Sequence, residues 1–216
     1  MITLYSYWRS SAAYRVRIAL NLKGIDYEIA GVNMLKDGGE QHSDAYRAIN
    51  PQGLVPTIDD DGLILTQSMA IIEYLEEKYP DKALLPGSTR ERARARQLAN
   101  IVACDVHPLN NLRVLKYLKA ELEVDDRRKD DWYEHWIRLG FAAFESGLAE
   151  TSSPGPYCLG ESPGLADICL VPQMYNARRF NISLDEFPHL CQVERACLAL
   201  DAFKNASPEQ QPDAVT

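Results

Sequence analysis

Two serines that follow a short apolar strand have the types and the placement for chemistry. Ile2 to Tyr5 reads as a strand, and it runs into Tyr7-Trp8-Arg9-Ser10-Ser11-Ala12-Ala13. A helix follows, in which Val16, Ala19 and Leu20 recur at helical spacing. A strand-to-helix turn aims the unpaired N–H groups of the first helical turn, and the positive end of the helix dipole, at whatever occupies it. Hydroxyls beside that end can donate to an anion: a phosphate, a carboxylate or a thiolate. Serine is also a preferred N-cap, and the turn by itself leaves both readings open.

Other reactive side chains are scattered. The five cysteines, Cys104, Cys158, Cys169, Cys191 and Cys197, are odd in number and lack C-x-x-C spacing. The four histidines show no metal-ligand spacing either. Neither a disulfide framework nor a metal site is expected, and free thiols in a reducing compartment fit best. With 46% hydrophobic and 25% charged residues, the 216-residue chain has an ordinary globular composition. Its net charge of −8 is evenly spread: residues 1–82 carry 8 basic and 12 acidic groups, and residues 83–216 carry 15 and 19. No basic face is visible, so a nucleic-acid partner is not expected. No apolar run approaches the ~18 residues of a membrane span. The first residues show no basic segment followed by an apolar one, so the expected location is the cytoplasm.

These residues need elements to position them. In the first 80 residues strand and helix patterns alternate. After the first strand and helix come a strand over 27–32, a short helix over 43–49 and a hairpin around Asp59-Asp60-Asp61-Gly62. A helix over 68–78 follows, with Ile71, Ile72 and Leu75 on one face. Beyond Pro86-Gly87 the strand signals stop. Helices are expected over 90–119, kinked at Pro108, and over 132–148, 166–178 and 188–200, with a loose Pro/Gln-rich tail after Ser207. Asp167 reads as a capping-box residue for the third of these, reaching back to Gly164. An α/β part followed by an all-α part implies two domains.

With these residues assembled, the chain resembles the zeta class of cytosolic glutathione transferases, which includes the maleylacetoacetate and maleylpyruvate isomerases. The resemblance runs nearly end to end. It rests on Arg9-Ser10-Ser11 with Arg15-Val16-Arg17, on Asn50-Pro51-Gln52-Gly53-Leu54-Val55-Pro56 and on Gln67-Ser68-Met69-Ala70. It continues through His107-Pro108-Leu109-Asn110-Asn111, Ala166-Asp167-Ile168 and Asn176-Ala177-Arg178-Arg179-Phe180. It implies an α/β thioredoxin-like domain over 1–82 that binds glutathione, a linker over 83–89 and an all-helical substrate-binding domain over 90–216. One departure stands out: the family usually has Ser-Ser-Cys at the turn, and this chain has Ser10-Ser11-Ala12. A mechanism that needs a protein thiol there is excluded.

The resemblance assigns roles residue by residue. Ser10 holds the glutathione thiolate, with Ser11 and the amide of Ala12 as auxiliaries. Val55 precedes a cis-proline and pairs its backbone with glutathione like an added strand. Gln67 and Ser68 hold the γ-glutamyl carboxylate, with Ser68 as a plain N-cap as the alternative, and His107 and Asn111 are further glutathione contacts. Arg9, Arg113 and Arg179 are candidates for substrate carboxylates, which a planar guanidinium matches bidentately. The implied activity is glutathione-dependent cis–trans isomerisation of maleylacetoacetate to fumarylacetoacetate in tyrosine and phenylalanine breakdown. Maleylpyruvate isomerisation in gentisate breakdown is the alternative, followed by general conjugation to electrophiles. From another class, the rival is a non-catalytic interaction protein of the same fold. The implied assembly is a homodimer.

Overall fold

The computed structural model describes residues 1–85, 87–150 and 155–214. Pro86 of the expected linker, residues 151–154 and the last two residues lie outside the described residues. The chain divides into two compact units, Met1–Leu84 with Leu198–Thr216, and Leu85–Cys197. Residues 198–214, expected in the helical domain, therefore group with the first unit instead.

The first unit is built on a four-stranded sheet of order β2-β1-β3-β4, with β1 Ile2–Ser6, β2 Tyr27–Gly31, β3 Thr57–Asp60 and β4 Leu63–Thr66. Central β1 pairs parallel with β2, Leu4 against Ile29, and antiparallel with β3, Leu4 against Ile58. Leu4 and Ile58 are fully buried. The β3–β4 hairpin closes on Asp61 and Gly62, whose positive φ angles of 52° and 93° suit a tight Asp-Gly turn. Three helices belong to this sheet: α1 Ser11–Lys23, α2 Asp44–Ile49 and α3 Ser68–Lys78. This is the mixed sheet of a thioredoxin-like domain.

Helix α1 is the axis of the unit. Val16, Ile18, Ala19 and Leu20 have no exposed surface, and the helix stops at Gly24, whose φ of 67° suits glycine. Its cations are also inside. Lys23 directs its ammonium to Glu76 Oε2 (2.8 Å), Tyr79 O (2.8 Å) and Lys82 O (2.9 Å), so all three of its donors are used. Arg17 donates to Ser6 Oγ (3.1 Å), Trp8 O (3.0 Å) and Ala206 O (2.9 Å). That last bond anchors the chain just ahead of the tail, which is not loose. Gln211 is buried and its Nε2 donates to the carbonyls of Asn205 (2.9 Å) and Ser207 (2.7 Å).

In the second unit, α4 Thr89–Asn100 starts on the capping box of Ser88 and Glu91. It passes into a π-helical segment, Ile101–Val106, and a single helical turn α5, His107–Leu109. Helices α6 Leu112–Ala120, α7 Asp126–Ala149, α8 Leu165–Arg179 and α9 Pro188–Leu198 follow, and a last short helix, α10 Asp201–Lys204, returns to the first unit. The break in the long helical stretch falls at Asn110–Asn111 rather than at Pro108. Pro108 lies in the first turn of α5, where a missing N–H is tolerated. Gly140 of α7 meets the π segment closely: a Cβ there would lie 2.1 Å from Val106 Cγ2. Asp167 caps α8 as expected, accepting from Gly164 N at 2.8 Å, and its second oxygen accepts from Cys158 N at 2.9 Å. Burial pushes this carboxyl above the usual carboxylate range, and the two amides offset part of that shift.

Candidate active site

In the first unit, the chain leaves β1 through Tyr7-Trp8-Arg9-Ser10. Ser10 N donates to Tyr7 O (2.9 Å), and Ser10 O accepts from Tyr14 N (2.8 Å). Ser10 has extended backbone and its Oγ accepts from Ala13 N at 3.2 Å, so it is the N-cap of α1. A hydroxyl that accepts through one lone pair keeps its proton to donate. The cap and the anion contact are therefore compatible in one side chain. Ser11 and Ala12 follow in the first turn and are buried. Arg9 places its guanidinium 4.7 Å from the centroid of the Trp8 ring and donates to the Tyr7 hydroxyl at 3.3 Å.

The Val55–Pro56 bond is cis, as the resemblance implies. Among the described residues, neither the N–H nor the C=O of Val55 takes part in a hydrogen bond. The loop that carries it is braced from behind. Leu54 O accepts from Tyr46 Oη (2.7 Å) and Asn50 Nδ2 (2.8 Å), and both side chains also meet Thr57 Oγ1. Burial raises the Tyr46 pKa, which keeps its hydroxyl a donor.

Ser68 is the first residue of α3, not its cap. The cap position is Gln67, with φ 69° and ψ 113° and no side-chain cap bond. Gln67 sends Nε2 to Gln52 Oε1 at 2.8 Å. Ser68 Oγ is buried and accepts from Arg15 Nη1 at 3.3 Å, which ties it to α1. Arg15, Gln52 and Tyr46 were not anticipated as supports of the site. Arg15 carried a signal: an arginine one turn into a helix that is otherwise apolar on that side must find a partner.

In the second unit, half-buried His107 opens α5. Asn111 caps α6, its Oδ1 accepting from Arg113 N at 3.1 Å, which leaves its amide nitrogen for other work. Arg113 is exposed in the first turn of α6, and Arg179 is exposed at the last residue of α8. The two adjacent arginines differ sharply. Arg178 pairs through two nitrogens with both carboxylate oxygens of Glu194. Arg179 lies over Phe180, 5.0 Å from its ring centroid, and Phe180 stacks on Tyr133 at 3.7 Å. Burial pushes the Tyr133 pKa up to about 12, against the opposing charge of Arg179. Among the described residues, Arg9, Arg113 and Arg179 form no ion pair. An apolar cavity of about 370 Å³ opens between the π segment and α7, lined by Ile101, Pro108, Trp136 and Leu139 among others, and it contains none of these site residues.

A thioredoxin-like domain with a cis-proline and an α1 start of this kind, followed in the chain by helices, is the architecture of glutathione transferases. Residues 4–83 match the N-terminal domain of glutathione S-transferases. A probable maleylacetoacetate isomerase of Vibrio cholerae is 50% identical over 99% of this chain and 98% of its own length. A maleylpyruvate isomerase described as a bacterial zeta-class glutathione transferase superposes with a TM-score of 0.96 at 47% identity, covering 99% of this chain and 100% of that one. A maleylacetoacetate isomerase of Methylobacterium extorquens, solved with malonate and glutathione, gives 0.92 at 41% identity over 99% and 100%. The chain belongs to the zeta class of glutathione transferases.

Proposed function

We propose that this chain is a glutathione-dependent cis–trans isomerase that converts maleylacetoacetate to fumarylacetoacetate. The observation that carries the reading is the start of α1, where Ser10 caps the helix with its oxygen and retains a proton for a thiolate. The residues suit glutathione on structural grounds. Val55 offers an unpaired N–H and C=O in the manner of a sheet edge. Gln67 and Ser68 stand at the start of α3, where the helix dipole favours a carboxylate. The resemblance also implies His107 and Asn111 as glutathione contacts.

Bound glutathione supplies a nucleophilic thiolate that adds reversibly to the conjugated cis double bond and leaves after rotation. A free thiol has a pKa of about 8.5, so it is mostly protonated at neutral pH. A hydrogen bond from Ser10 to the charged form, at roughly 1.5–3 kcal/mol, lowers that value by about one to two units. Ser11 and the Ala12 amide add to the same end of the helix. Arg9, Arg113 and Arg179 take the carboxylates of the keto diacid. Their local charge offsets the repulsion from a protein of net charge −8.

Maleylpyruvate is the second reading, favoured by the TM-score of 0.96 to a maleylpyruvate isomerase. Both substrates are conjugated keto diacids, and comparing kcat/KM for the two with the purified protein decides between them. Failure of both to turn over in the presence of glutathione overturns the isomerase reading. The five free cysteines fit a reducing compartment such as the cytoplasm. A homodimer is part of the proposal, supported by exposed Leu63 and Ile64 on the edge strand β4. Sedimentation at a monomer mass would remove it.

A further inference from the structure

The peptide of Trp8 lies one residue before Arg9 and two before Ser10, and it is gripped at both ends. Its C=O accepts from Arg17 Nη2 at 3.0 Å. Its N–H donates to Oδ2 of Asp213, also at 3.0 Å, across 205 positions of sequence. We propose that Asp213 is a positioning residue for the isomerase: its carboxylate and Arg17 clamp the Trp8 peptide and so fix the Arg9 guanidinium and the Ser10 hydroxyl. This rests on the reading of Arg9 and Ser10 as site residues.

The surroundings of Asp213 support the assignment. The same Arg17 that holds Trp8 O also holds Ser6 Oγ and Ala206 O, so the strand end, the turn and the tail share one buried guanidinium. Gln211 shapes the segment before Asp213 by its bonds to Asn205 O and Ser207 O. The Asp213 side chain lies against Gly31 of β2, where an added Cβ would sit 3.7 Å from Asp213 Cβ. The second oxygen, Oδ1, is buried with no hydrogen-bond partner among the described residues. A buried carboxylate oxygen without a protein partner is an unfavourable group for a tail that only covers surface. A charge-assisted bond to the Trp8 N–H gives it a use, because such bonds are shorter and stronger than neutral ones. Trp8 carries the restraint forward, since the Arg9 guanidinium rests on its ring and Ser10 N bonds to Tyr7 O in the same turn.

The test uses the full chain with Asp213→Ala, Asp213→Asn and Ser10→Ala. Three readouts are followed: kcat and KM on the keto diacid, the ultraviolet thiolate band of bound glutathione against pH, and Tm. Asp213→Ala is expected to lower kcat/KM by about tenfold, as small misplacements of reacting groups do. The thiolate midpoint should rise, while glutathione affinity stays within about twofold because its remote contacts are untouched. Asp213→Asn keeps an acceptor oxygen and should restore both kinetics and midpoint. Asp213→Ala with wild-type kinetics, or with a lowered Tm as its only effect, overturns the clamp. So does an Asp213→Asn as impaired as Asp213→Ala, because the hydrogen bond is then not the cause. Ser10→Ala separates the two levels. If it is harmless, the reading of the site and the clamp fall together; if it is crippled beside an intact Asp213→Ala, the clamp alone falls.

Discussion

Helices α1 and α3 begin by opposite means. Ser10, before α1, has ordinary extended backbone and its side chain accepts from the amide of Ala13. Gln67, before α3, sits at φ 69° without a side-chain cap bond, and its amide is spent on Gln52 instead. A non-glycine residue in such a region costs roughly 1–3 kcal/mol. On the proposed reading, one hydroxyl at α1 serves folding through a lone pair and chemistry through its proton. At α3 the same reading has local stability given up and the helix start offered to glutathione. Stability and function should therefore move together at the first helix and apart at the second.

The largest effect should come from cutting the tie between the two helices. Lys23→Met leaves Glu76 buried without its cation and removes the bonds to Tyr79 O and Lys82 O. A loss of about 3–5 kcal/mol in chemical denaturation is expected. A variant as stable as the parent would mean that the helices are held by packing alone.

The adjacent arginines of α8 repeat the contrast in the second unit. Arg179→Ala should lower kcat/KM on the keto diacid roughly 10- to 150-fold, the value of a charged hydrogen bond, with Tm nearly unchanged. Arg178→Ala should do the reverse, lowering Tm through its lost pair with Glu194 and leaving KM in place. Equal kinetic losses in the two would move the carboxylate clamp to Arg9 and Arg113.

Ser10 tests whether one group serves two ends. Ser10→Ala should cut turnover at neutral pH by at least about tenfold, raise the pH midpoint of the rate, and lower stability by about 1 kcal/mol. Ser10→Asp keeps a good cap and should recover the stability, yet its carboxylate opposes a thiolate and activity should stay low. Recovery of turnover by Ser10→Asp would contradict the role of the hydroxyl proton.

The smallest effect is the most pointed. Gln67→Gly should raise stability by about 1 kcal/mol, since glycine adopts positive φ freely. It should also weaken glutathione binding while leaving saturated turnover close to that of the parent. Calorimetric titration beside a melting curve would show the two changes with opposite signs; a loss of both would place Gln67 with Ser10.

Much of the fold is legible in the sequence. The strands and α3 follow from apolar spacing, and the Asp-Gly hairpin follows from turn chemistry. Periodicity failed where burial does not shape the helix. The first turns of α7 are Asp126-Arg127-Arg128-Lys129-Asp130-Asp131, charged on every side, and that helix is set by the cap of Asp125 on Arg128 N instead. The tail is tighter than its composition suggests: Pro and Gln signal looseness on average, whereas here Gln211 of the tail bonds back to the carbonyls of Asn205 and Ser207. The site divides in the same way. Ser10 at the start of α1, Val55 before the cis-proline and Ser68 at the start of α3 are legible as positions in local motifs, whatever they bind. Arg15 behind Ser68 and Asp213 behind Trp8 are not, because a contact between distant positions leaves no trace in local spacing.

The buried Arg17 guanidinium also sets an order of events during synthesis. Its acceptors Ser6 and Trp8 are made within moments of it, but Ala206 follows only after the whole of the second unit. At 5–20 residues per second, the interval is roughly 10 to 40 s. Throughout it the first-made unit lacks one acceptor for a charge that it must enclose. The first unit, although begun first, completes its interior only after the whole of the second unit has been translated.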